Sequence, residues 1–374
     1  MSSKKLINLD QNVVRFNILL IDIIFMPDAK LNIPTLNRRR KFIINFQNKL
    51  YKNLDQKKIP DSISSIIIFA QEKLGDAILL LPFLNAFHKR FPDAVIDLCC
   101  TYYNKKVFEG IPFIRNCLIY RPYNPRFAKM IRSEKYQILY NPKSGPSKTF
   151  HQMTNKVNAD VKVCLDNEYN NPIYNYYLPN DNTKHIVDKY CELLFYYDPH
   201  TSITNWLPDY FYQFPSSIDK KKYLTVNMSA GSQNRRLPVD KWIKIFSHIL
   251  EDNNIHLALF ASKKESRDAK KIKRMFKEKI YYPLESPNLY YASGIINDSE
   301  MLISLDTSLI HLASALGKPV LGLYNNDMLN HSRYSPYNTI SESVISDTEF
   351  IRDIEPSSII DSYSKLISKI KKNR

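Results

Sequence analysis

Apolar and polar positions along the chain fall into two alternating rhythms from residue 62 onward. Ile63–Phe69 (ISSIIIF) is a β-branched run of strand length, and Asp76–Arg90 follows with its apolar residues on one helical face. Val95–Cys100, Cys117–Tyr120 and Tyr136–Tyr140 read as further strands, with helices over Arg126–Ser133 and His185–Tyr197. Residues 198–222 are proline-rich and strand-poor, as in a linker. The rhythm restarts at strand Tyr223–Asn227 and runs through helix Val239–Leu250, strand Ile255–Phe260, a charged helix 264–278, a short strand near Lys279–Tyr282 and helix Leu289–Ile296. Strand Met301–Leu305, helix Ser308–Leu316, strand Val320–Tyr324 and helix Pro356–Lys372 complete it. Strands and helices alternating at this spacing predict parallel, doubly wound sheets. The expected organisation is therefore an extension over 1–60, an α/β domain over 61–200, a linker over 201–222, a second α/β domain over 223–355 and a terminal helix over 356–374. The two α/β domains would face each other across a cleft.

The extension differs in character. Between Lys30 and Lys58 nine basic residues stand against one acid, Asp55, while Phe42, Ile43, Phe46 and Leu50 recur at spacings of three and four. Such a basic amphipathic helix either packs on its domain with the charged face in water or lies on an anionic lipid surface. The apolar run Ile18–Met26 is interrupted by Asp22, closed by Pro27, and about half the ~20 residues that span a bilayer. The start MSSKKLINLDQ lacks the order of a signal peptide.

Composition narrows the function. With 374 residues, 44% hydrophobic and 24% charged, the chain is an ordinary globular one, which excludes disordered, collagenous and coiled-coil classes. A net charge of +16 points to an acidic partner: nucleic acid, an anionic membrane face or a phosphorylated substrate. No aromatic-basic interleaving marks a nucleic-acid module, so that partner is not expected. Five cysteines without a CxxC pair argue against structural zinc and a disulfide framework, and for a reducing cytoplasm. Only seven glycines remain, so each one carries information.

Three segments carry candidate chemistry. Gln71-Glu72-Lys73-Leu74-Gly75-Asp76 leaves the first strand and opens the first helix. There Gly75 permits a tight turn, and Asp76 is either a plain N-cap or a general base at the crevice beyond the strand ends. Ser229–Arg236 (SAGSQNRR) offers small residues followed by cations, which suits a phosphate or makes a polar loop; it is neither a GxGxxG nor a Walker A sequence. In Ser304–Pro319, Asp306-Thr307-Ser308 ends a strand and opens a helix carrying His311, which is either a core histidine or a ligand. Hydroxyls and helix N-terminal amides there would again suit an anion. Gly317 is a plain helix C-cap.

These segments, in this order, resemble the heptosyltransferases of lipopolysaccharide core synthesis, the ADP-heptose-using glycosyltransferase family 9. The entry IIIFAQEKLGDAILLL, the loop SAGSQNRRLPVDKW and the stretch SLDTSLIHLASALGKP carry the resemblance, which runs from about Ser62 to Tyr337 and is weaker over 140–220. It implies a GT-B architecture of two Rossmann-like domains and an inverting, metal-independent transfer of heptose from ADP-heptose, the donor substrate, with no cofactor. The acceptor implied is the anionic lipopolysaccharide core, reached from the cytoplasmic face of the inner membrane. Carried over by position, Asp76 would be the base. Gly75, Ala230, Gly231, Ser232, Arg235, Glu265, Asp306, Thr307, Ser308 and His311 would hold the donor. Lys143, His185 and Lys189 would approach the acceptor. The chain departs from the family pattern at Ser308, where a glycine is usual, at Tyr324-Asn325-Asn326, and at Leu237 in place of a tryptophan. Those departures keep two other readings open: another nucleotide-sugar donor, or a catalytically degenerate glycan- or anion-binding homologue.

Overall fold

The computed structural model describes residues 54–70, 73–121, 124–145, 147–166, 173–213, 222–282 and 288–373, with residues 42 and 218. The amphipathic helix expected in residues 30–58 lies largely outside them; Phe42 is helical and exposed. Two compact units form, one from the described residues up to Phe69 with Arg121–Asn180, the other from Ala70–Tyr120 with Asp181–Arg374.

In chain order the first elements are β1 (Ser65–Phe69), α1 (Leu74–Arg90), β2 (Val95–Cys100), α2 (Tyr102–Phe108), β3 (Ile114–Ile119), α3 (Pro125–Ser133), β4 (Lys135–Asn141), α4 (Lys148–Thr154), β5 (Asn158–Leu165) and β6 (Tyr176–Leu178). Next come α5 (Ile186–Tyr190), α6 (Glu192–Tyr197), β7 (Tyr223–Asn227), α7 (Val239–Ile249), β8 (His256–Phe260), α8 (Ser266–Phe276), β9 (Ile280–Tyr281), α9 (Leu289–Asp298) and β10 (Leu302–Leu305). The chain ends with α10 (Ser308–Ala315), β11 (Val320–Tyr324), α11 (Met328–Tyr334), β12 (Ser341–Ile345) and α12 (Pro356–Lys372). Two six-stranded parallel sheets result, ordered β3-β2-β1-β4-β5-β6 and β12-β11-β10-β7-β8-β9. Read from its β9 edge, the second sheet repeats the strand order of the first, as expected for the α/β, Rossmann-like class.

Burial explains the strands that the apolar pattern predicts. In β7 and β11 every residue is buried, as a parallel strand covered on both faces requires. Their pairings are in register, Thr225 with Leu302 and Leu302 with Val320, over a core that takes in Trp242, Phe246 and Leu366. β3 begins three residues before the expected strand because Arg115 reaches buried Asp97 on β2, donating to both carboxylate oxygens at 3.0 and 2.6 Å. The helix expected over His185–Tyr197 is instead two, since Cys191, at φ −86° and ψ 0°, ends α5 and starts α6.

Candidate active site

The second sheet has its topological switch between β7 and β10, and the segments leaving these two strands meet there. Asn227, at the end of β7, holds them together. Its buried Nδ2 donates to Ser304 Oγ at 3.0 Å and Thr307 Oγ1 at 2.9 Å, while its Oδ1 accepts from Ser229 N at 3.1 Å. One amide thus fixes the 229–232 loop against the start of α10.

α10 packs on α1 within the same unit. That packing needs Gly75: a Cβ there would lie 2.9 Å from His311 Cδ2 and 3.6 Å from Ser308 Cβ. The N-caps of both helices, Lys73 and Thr307, have extended backbones and offer no side-chain cap. Helix geometry gives the first N–H groups of each helix no i−4 carbonyl, and in α10 that of Ile310 turns back to the Thr307 carbonyl at 3.2 Å. Asp76 is not the N-cap of α1 but sits in its first turn, where Tyr190 donates a hydroxyl to its Oδ1 at 3.4 Å.

A cavity of about 720 Å³ opens between these parts, lined by residues 73–76, 231–232, 235, 306–308, 311, 330 and 333–334. Arg235 Nη1 pairs with Asp306 Oδ2 at 3.0 Å and donates to the Asp306 carbonyl at 3.3 Å; Asn330 Nδ2 donates to the same carboxylate at 3.1 Å. Burial raises the Asp306 carboxyl above its ordinary range, against the pull of Arg235. Among the described lining residues Lys73, Arg235 and Arg333 outnumber Asp76 and Asp306 by one, so the lining favours an anion. Burial drives His311 down to about 3, so it is a neutral ring. Burial and the Asp76 charge push Tyr334 up to about 12 and keep it a hydrogen donor.

The cavity thus brings together Gly75, Asp76, Gly231, Ser232, Arg235, Asp306, Thr307, Ser308 and His311 of the sequence candidates. Ala230 packs against the core of the second sheet, and Glu265 pairs through Oε1 with Arg236 Nη2 at 2.7 Å, accepting from Ser262 as well. His185 and Lys189 do not line it. His185 caps α5, accepting at Nδ1 from Val187 N, with Nε2 3.0 Å from the Ser335 carbonyl and its ring on Tyr337. Lys189 is wholly buried, donates to Asn182 Oδ1 at 3.0 Å and is lowered by that burial to about 8. Lys143, in the other unit, lies over the Phe150 ring at 5.2 Å. Sequence reasoning missed Lys73, Asn330, Arg333 and Tyr334; the last three sit on α11, whose start is signalled by Asp327 capping Asn330 N. No group of three or more His, Cys, Asp or Glu among the described residues is arranged to hold a metal ion, and none of their helices is long and apolar enough to cross a membrane.

Residues 125–363, more than half of the chain, match the model of glycosyltransferase family 9 (heptosyltransferase). A candidate lipopolysaccharide heptosyltransferase 4 of Escherichia coli K12 is 22% identical over 368 residues, 90% of this chain and 98% of that protein. Among solved structures, a family 9 glycosyltransferase from Veillonella parvula aligns at TM-score 0.70 and 16% identity, over 84% of this chain and all of that one. The E. coli heptosyltransferase WaaC with ADP aligns at TM-score 0.68 and 14% identity, over 81% and 99%. E. coli heptosyltransferase II aligns at 0.67 and 15%, over 82% and 99%. At these identities the structural likeness is one of fold.

Proposed function

The chain belongs to glycosyltransferase family 9, the heptosyltransferases, and from that premise we propose that it moves heptose from ADP-heptose to an acceptor hydroxyl of the lipopolysaccharide core. The observation that carries this reading is the shared cavity of Asp76, the Arg235–Asp306 pair and two uncapped helix N-termini. A nucleoside diphosphate needs cations and backbone N–H donors, and Lys73, Arg235 and Arg333 line this cavity together with the starts of α1 and α10. Lys73, Arg235 and Arg333 would neutralise the diphosphate without a metal. Asp76 would take the acceptor proton as the oxygen attacks the anomeric carbon, and the bond to ADP would break on the opposite face, inverting the centre. The Tyr190 hydroxyl would orient the Asp76 carboxylate. Asp306 would position Arg235. The net charge of +16 supports an anionic acceptor at the cytoplasmic face of a membrane, approached without spanning it.

Asp76→Ala is the direct test. ADP binding, read by calorimetry, should stay within about threefold, while transfer falls by at least ~100-fold, the usual contribution of a general base. Turnover close to wild type would remove Asp76 from that role. A second reading, another nucleotide-sugar donor, is favoured by Ser308, whose side chain lines the cavity where family members carry glycine. Thermal-shift titration separates the two: stabilisation by ADP but not UDP or GDP supports ADP-heptose, and stabilisation by UDP or GDP alone overturns it.

A further inference from the structure

A second hollow, of about 690 Å³, shares no lining residue with the donor cavity. Trp206, Tyr210 and Tyr290 supply rings; Glu109, Asp209 and Gln213 supply polar atoms. Although the chain carries +16, no Lys or Arg is among its described lining residues.

The walls are held in place. The hydroxyls of Tyr210 and Tyr290 donate to the carbonyls of Val107 and Lys106, tying both rings to the end of α2, and the rings meet edge to face at 5.8 Å. Gly110 adopts φ +104°, and a Cβ there would lie 3.3 Å from Tyr210 Cε1. One of the chain's seven glycines therefore preserves this wall. Trp206 is partly exposed, with its ring 5.8 Å from Phe113.

We propose that this hollow binds an uncharged saccharide unit. Sugar rings present C–H patches that stack on aromatic faces and hydroxyls that donate to carboxylate and amide oxygens, and both complements are here. An anion would meet the Asp209 carboxylate with no Lys or Arg among the described lining residues. An ammonium group would find the Glu109 charge already met by Lys105 at 2.8 Å, in a hollow far larger than itself. The Gln213 amide can also accept hydroxyl protons and donate to hydroxyl oxygens. Binding here needs no turnover, so it stands or falls apart from the donor reading.

The two tryptophans allow a direct measurement, since Trp206 edges the hollow and Trp242 is buried in the second sheet's core. Titrating the full-length protein with maltose, lactose and methyl α-mannoside should change tryptophan emission saturably for at least one sugar. Trp206→Phe should abolish that change. With Trp206 retained, Asp209→Asn and Gln213→Ala, both at exposed positions, should raise the half-saturating concentration about fivefold or more, the worth of one hydrogen bond. Unchanged urea midpoints would verify that these variants fold. The proposal is overturned if none of the three sugars gives a saturable change, if the change survives Trp206→Phe, or if both polar variants bind as wild type does. It is equally overturned if spermidine or tetramethylammonium saturates the signal at lower concentration than every sugar, which would make this a cation site.

Discussion

Two glycines that look alike in the sequence do different work. At Gly75 the limit is internal, because an added Cβ meets the His311 ring at 2.9 Å; at Gly231 no described residue beyond its chain neighbours lies within 4 Å of it. Gly75→Ala should therefore destabilise the fold. Overpacking costs about 1–3 kcal/mol, and the intrinsic helix gain of at most ~1 kcal/mol offsets only part of it. Gly231→Ala should leave stability within about 0.5 kcal/mol, yet weaken ADP binding roughly tenfold if a phosphate approaches that backbone. Urea unfolding with calorimetric ADP titration of both variants reads the contrast. A Gly231→Ala protein that binds ADP as wild type does would make residues 229–232 an ordinary polar loop.

Among the elements, strands with apolar runs were legible, while strands with polar positions were missed. The charged helix over 264–278, seen as Ser266–Phe276, and the helix over Arg126–Ser133, seen as Pro125–Ser133, were legible too. Val95–Cys100, Tyr223–Asn227 and Val320–Tyr324 form strands over the bounds their apolar runs predict. β12, SESVI, at the sheet edge, escaped because only two of its residues are apolar, and β5, NADVKVCL, because Asp160 and Lys162 interrupt its apolar residues. β3 was shortened in the reading because Arg115 hides its charge in a pairing with Asp97 that no local pattern reveals. The site was legible where one segment holds several candidates, as in Asp306–His311. It was illegible on α11, whose residues enter the cavity only through tertiary placement. His311 illustrates how α10 and α1 depend on each other. Its pKa is pushed down to about 3 by burial, with a smaller push from His185, itself lowered mainly by burial. The unfolded chain takes up that proton near pH 6.5, so it binds more protons than the folded chain between about 3 and 6.5. The resulting stability is complete above pH 6.5 and is lost as pH falls toward 3. His311→Gln should therefore reduce the stability difference between pH 7 and pH 4.5 by an amount on the order of 2 kcal/mol, read from urea midpoints. An unaltered pH dependence would mean that the ring is hydrated and titrates normally.

At the scale of the whole molecule, two sheets of identical strand order carry 53 basic against 37 acidic residues. Fold topology alone does not require that excess, and among the described residues three cations, Lys73, Arg235 and Arg333, line the cavity of about 720 Å³. Charge outside the cavity can act on an anionic acceptor at long range, raising its local concentration rather than positioning reacting atoms. Long-range attraction between exposed charges is screened beyond about 10 Å at 0.1 M salt, whereas contacts inside a cavity are screened much less. Raising salt from about 0.05 to 0.5 M should thus raise KM for a phosphorylated lipid acceptor several-fold while kcat stays within about twofold. An acceptor stripped of its phosphates supplies the control, because its KM should move much less over the same range. Parallel salt profiles for the two acceptors would show that the basic surface does not recognise the acceptor's anionic groups, and would return the excess of lysine and arginine to a property of composition.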